Sequence, residues 1–132
     1  MIRKMTVEDI AKILKLEDDV FETVFHCTIG EWVQFLARNV ENDNFLMLGV
    51  FSEDVLAGYI VCSSSVFPPV SYHVGILYYV GTGEDNAAKV LPEIKKFAQG
   101  KNANSIRFIT RKPEAFSKYG FIITASLMEM AV

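Results

Sequence analysis

The chemistry in this sequence is concentrated between Tyr72 and Gln99: an apolar run, Tyr72–Val80, enters a glycine-spaced turn, Gly81-Thr82-Gly83, and leaves it as an amphipathic helical pattern. A strand passing into a helix through glycines presents backbone N–H groups to an anion, phosphate above all. Glu84 and Asp85 follow at once, and each opposes a pyrophosphate by about 1 kcal/mol at a solvated separation of about 4 Å. Arg3-Lys4, Lys95-Lys96 and Arg111-Lys112 are local pairs able to meet an anion. Cys27 and Cys62 stand apart in apolar surroundings and, with two separated histidines, give no metal-ligand spacing, so they read as buried free thiols.

These residues need a scaffold, and the composition supplies one. A chain of 132 residues with 51% hydrophobic content and ten phenylalanines is long and apolar enough for one domain with a large core. The formal charge of -3 argues against a general nucleic-acid surface. No apolar run reaches the roughly 20 residues that span a bilayer, and the N-terminus lacks a signal-like apolar region, so a cytoplasmic protein with no membrane partner is expected.

Along the chain, Ile2–Met5 is short and mixed. Thr6-Val-Glu-Asp9 and Thr28-Ile-Gly-Glu31 both have the spacing of a capping box. The first helix carries Ile10, Ile13, Leu14 and Val20-Phe21 and ends or bends at Glu17-Asp18-Asp19; the second carries Trp32, Val33, Leu36 and Val40 and runs to about Asn39. Phe45–Phe51 and Val55–Cys62 flank Ser52-Glu-Asp54 as a hairpin, followed by a connection over Ser63–Ser65 and Phe67–Val70. Tyr72–Val80 is apolar throughout, as when helices cover both faces, and Gly75 marks a bulge. Pro92 either kinks the next helix or begins its regular part. Ser105–Thr110 reads as a parallel strand, Pro113–Tyr119 as a short helix capped by Gly120, and Phe121–Met130 as a final strand.

The order β-α-α-β-β-β-α-β-α-β, an α+β single domain with a mixed central sheet flanked by helices, resembles the GNAT superfamily of acyl-CoA-dependent N-acetyltransferases. The resemblance covers nearly the whole chain and is most specific at Phe51-Ser-Glu-Asp-Val-Leu-Ala-Gly-Tyr-Ile60 and Arg111-Lys-Pro-Glu-Ala-Phe-Ser-Lys-Tyr-Gly-Phe121. It implies acetyl-CoA as cofactor. The central strand would splay from the next parallel strand, with Leu77, Tyr78, Tyr79 and Val80 receiving the pantetheine arm, and Gly81, Thr82, Gly83 and Asn86 meeting the phosphates.

The sequence departs from the family pattern Arg/Gln-x-x-Gly-x-Gly/Ala at Val80–Leu91, and the tyrosine that many members use to protonate the leaving thiolate is matched by Phe116. The resemblance leaves Tyr119, on the same short helix, and His73, whose intrinsic pKa suits proton transfer, as the catalytic candidates. Two functions follow: acetyl transfer to a small-molecule or peptide amine, or an inactive GNAT-like domain serving as a binding or structural subunit, as a homo-oligomer or with an assembly partner. Neither Phe21–Gly30 nor Ser63–Ser71, where an acceptor would be shaped, carries a charge pattern that names a substrate.

Overall fold

Both capping boxes form in the computed structural model, which describes residues 1–17, 27–81, 83–110 and 112–132, without the side chains of 83–85. The Thr6 backbone N–H donates to Asp9 Oδ2 at 2.8 Å and opens α1 (Val7–Ile10). The expected single helix is broken: i→i−3 bonds from Lys12 N–H to Asp9 O and from Leu14 N–H to Ala11 O wind the junction tightly before α2 (Ile13–Leu16). Val20 and Phe21 lie outside the described residues. The second box, with Glu31 N–H on Thr28 Oγ1 at 3.1 Å, opens α3 (Ile29–Asn39).

The sheet contains β1 (Ile2–Lys4), β2 (Phe45–Ser52), β3 (Val55–Phe67), β4 (Ser71–Val80) and β5 (Ser105–Arg107), side by side in chain order. The first four are antiparallel and β5 is parallel to β4, so the sheet is mixed. A parallel neighbour requires a crossover, which α4 (Gly83–Gly100) supplies. This helix runs through Pro92 rather than starting there. Pro92 and Ala88, whose carbonyl loses its i+4 donor, are both exposed, so water can take the missing bond.

Three expectations need correction. The serines do not form a connection: Ser63, Ser64 and Ser65 pair with Gly75, Val74 and His73, and β3 continues to Phe67, because cross-strand partners outweigh local propensity. Gly75 is not a bulge, since it is paired on both sides, with Ser63 and Arg107; the register shift falls where Cys62 faces Ile76 and Val61 faces Tyr78, leaving Leu77 as the extra residue. Finally, β5 is only three residues long, and Phe121–Met130 forms no strand. Its Ile122, Ile123, Met128 and Met130 are 78–92% exposed, because so short a β5 offers little edge on which to ladder.

The Leu77 bulge matters because a one-residue insertion reverses which face each later side chain takes. Before it, Val74 and Ile76 pack with Val90 and Ile94 of α4; after it, Tyr78 and Val80 join Ile10, Ile13 and Leu36 on the opposite face, and Tyr79 turns back toward α4. Two cores result, one on each side of the sheet.

Candidate active site at the open end of the sheet

Parallel pairing between β4 and β5 consists of His73 with Ser105, Val74 with Ile106 and Gly75 with Arg107. β4 then continues to Val80, so its edge from Ile76 onward has no ladder partner on that side among the described residues. Unpaired backbone N–H and C=O groups in this position require an occupant or water. Pairing between the two strands therefore ends after Gly75 and Arg107, at the place where the resemblance implies a splay.

Beside the splay, on the α4 face, lies a cavity of about 260 Å³. Ile60 and Ile76 form its floor, Val90 and Ile94 one wall, and Phe108, Phe116 and Tyr119 the other. Its size is just below the ~300–1,000 Å³ of most small-molecule sites, suited to one arm of a larger ligand. An aromatic cluster closes the far side: Phe108 meets Phe116 at 4.7 Å and Phe121 at 5.0 Å between ring centroids, edge-to-face, and Tyr79 leans on Phe116 at 6.0 Å. Phe108 and Phe121 escaped sequence reading because both were assigned to strands.

The turn from β4 into α4 is fixed by two glycines in contact. Gly81 has φ +64°, and a Cβ on Gly58 would stand 2.5 Å from the carbonyl oxygens of both Val80 and Gly81. Only two residues without side chains let β3 and this turn approach so closely.

The residues expected to do chemistry separate into three places. Leu77 is the half-exposed bulge residue, Tyr79 and Tyr119 line the cavity, and Gly81 forms the turn. Gly83 begins α4, and Asn86 is half-buried in its first turn. Thr82 lies outside the described residues, as do the side chains of Glu84 and Asp85. Tyr78 and Val80 face away from the cavity, into the core beneath α1–α3.

His73 stands at the paired end of β4, five residues before Tyr78 and so roughly 17 Å away along the strand. The Ser71 hydroxyl gives its proton to the Ser65 carbonyl at 2.8 Å, and its oxygen, 2.9 Å from Nδ1, accepts from the ring. Burial, and secondarily the charge of Arg107, hold His73 below its usual pKa, which favours the neutral ring.

A further constellation went unread. Glu17, which sequence reasoning placed at a helix end, accepts a hydrogen bond from Tyr59 Oη and another from Tyr78 Oη, each at 2.7 Å, while Trp32 Nε1–H donates to Tyr59 Oη at 3.0 Å. These four come from α2's C-terminal cap, α3, β3 and β4, so no spacing along the chain announces them.

No protein-family model matches the chain, and no curated protein matches it in sequence. Solved structures do match. A predicted acetyltransferase from Clostridium acetobutylicum, determined with acetyl-CoA, is 16% identical with a TM-score of 0.78 over 99% of this chain and 95% of that one. A GNAT family acetyltransferase from Staphylococcus aureus is 13% identical, with a TM-score of 0.72 over 100% and 98%. An aminoglycoside N-acetyltransferase in complex with CoA is 10% identical, with a TM-score of 0.74 over 100% and 98%. At these identities the likeness establishes the fold, which is that of GNAT acetyltransferases.

Proposed function

We propose that this protein is an acyl-CoA-dependent N-acetyltransferase that acts on an amine. The observation that carries the reading is the edge of β4 beyond Gly75, which has no ladder partner among the described residues, opening beside an apolar cavity and ending at the N-terminus of a long helix. The backbone groups along the open edge of β4 fit the amides of a pantetheine arm, and the apolar walls fit its carbon chain. Gly81, Thr82, Gly83 and Asn86 would face the pyrophosphate, where the amides of α4 point outward. Bound there, acetyl-CoA would supply the activated thioester. The Tyr119 hydroxyl, on the cavity wall with Phe116, would donate the proton that a leaving thiolate needs.

Titration calorimetry with acetyl-CoA, paired with a thiol-release assay over a panel of amines, tests this reading. Saturable heat and amine-dependent thiol release are expected; neither heat nor thermal stabilisation with acetyl-CoA or longer acyl-CoAs would overturn it. A second reading, a binding subunit rather than an enzyme, draws on the exposed side chains of Ile122, Ile123, Leu127, Met128 and Met130. A monomeric mass by light scattering at high concentration, together with activity, would remove it.

A further inference from the structure

Glu17 sits at the C-terminal cap of α2, half-buried over β3 and β4. Both tyrosine hydroxyls donate to the same oxygen, Oε1, so the carboxylate is held in one orientation. Oε2 receives no hydrogen bond from the described residues, and none of their cations forms an ion pair with Glu17. Asp9 on α1 is the opposite case: Arg3 reaches both of its oxygens, at 2.6 and 3.1 Å, and Lys12 adds a third contact at 3.2 Å.

A carboxylate drawn partly out of water is unfavourable without a counter-ion, and the described residues supply none to Glu17. An oriented carboxylate with one oxygen that none of the described residues hydrogen-bonds is suited to a cation arriving from outside. Its surroundings suit an organic cation in particular. Trp32 and Tyr78 stand edge-to-face at 5.7 Å, Tyr59 lies 5.5 Å from Tyr78, and Phe35 stacks on Trp32 at 5.8 Å. Aromatic faces attract ammonium groups and accommodate the methylenes attached to them. Burial and then the bond to Glu17, opposed by the Trp32 N–H, raise the Tyr59 pKa well above its ordinary value, so its proton stays on the hydroxyl and the wiring stays intact.

We propose that Glu17, Trp32, Tyr59 and Tyr78 form a recognition site for a primary alkylammonium ion, and that the acceptor amine docks there. The docking half rests on the transferase reading; the binding half does not. The site and the apolar cavity flank one strand, because the Leu77 bulge sends Tyr78 to Glu17 and Tyr79 to the cavity.

Trp32 is the single tryptophan of the chain, so intrinsic fluorescence reports on this site alone. The wild-type protein is titrated with n-butylammonium and, in parallel, with uncharged n-butanol. A saturable fluorescence change with the ammonium ion, at least tenfold weaker with the alcohol, is expected. Glu17→Gln, which keeps an acceptor for the tyrosines, should weaken ammonium binding at least tenfold. Equal responses to the two probes, or unchanged affinity in folded Glu17→Gln, overturn the site; if that variant does not fold, the wild-type comparison alone decides. Acetyl-CoA calorimetry on the same sample separates the readings. Heat with no ammonium response overturns this site and leaves the transferase standing, whereas an ammonium response with no heat supports the site and overturns the transferase.

Discussion

The two faces of the sheet are built from the same strands but hold together by different means. Beneath α1–α3, Asp9 is locked by Arg3, Lys12 and Thr6, and Glu17 by two tyrosines, so hydrogen bonds and charge add to packing. On the α4 face the core consists of Leu46, Leu48, Ile60, Cys62, Val74, Val90, Ile94 and Ala98, and its cavity is lined by apolar side chains apart from Tyr79, Lys118 and Tyr119. On the transferase reading the difference divides the work: the first face would orient the acceptor's charged group before it gives up its proton, and the second would enclose the cofactor's arm.

The comparison breaks most severely at Tyr78, where the bulge hands the strand to the other face. Tyr78→Ala should remove a half-buried ring from the core beneath α1–α3 and one of the two hydroxyls on Glu17, at a cost of about 4 kcal/mol. Urea denaturation followed by Trp32 fluorescence would read both the loss and the altered environment. Ile94→Ala, at a fully buried position of the α4 face, should cost about 3 kcal/mol. Since Ile94 packs in a core of apolar side chains, the loss should be the same at pH 7 and pH 4 in thermal melts.

Asp9→Asn should behave differently on both counts. Its cost at pH 7 is about 2 kcal/mol, as for hydrogen bonds to a charged group. The Arg3 guanidinium, with the Thr6 and Lys12 donors, holds the Asp9 carboxyl well below its ordinary pKa despite burial, so the folded protein binds this proton less readily than the unfolded chain. The stabilisation is therefore complete above the unfolded value of about 4 and fades as pH falls below it, and the gap between wild type and Asp9→Asn should close on the acid side. Melts between pH 2 and 7 would show a parallel gap instead if Asp9 contributed only shape. The mildest probe is chemical. Burial pushes the Cys62 thiol, in the α4-face core, up to about 12, while Cys27 is only half-buried. At pH 8 a thiol reagent should modify Cys27 first and reach Cys62 only as fast as the core opens, as mass spectrometry over time would record.

Much of the scaffold was legible because its signals are local. The Thr6 and Thr28 boxes, the Glu53-Asp54 hairpin turn, the amphipathic helix to Gly100 and the left-handed Gly120 cap each depend on residues a few positions apart. Ser63–Ser65 misled for the same reason: three serines resemble a turn until β4 lies beside them. The final segment misled in reverse, its strand-like composition having only a three-residue edge to join.

The site follows the same division. Sequence by itself determined that an apolar strand enters a helix through Gly81, that Tyr78 and Tyr79 occupy that strand, and that Phe116 and Tyr119 share one short segment, because these are facts of adjacency. Only the tertiary structure decided that Leu77 bulges, that neighbouring tyrosines serve opposite faces, that Gly58 backs against Gly81, and that Glu17 meets hydroxyls 42 and 61 residues away. Register and long-range contact are set by what packs across the sheet, and no pattern along the chain encodes them one residue at a time.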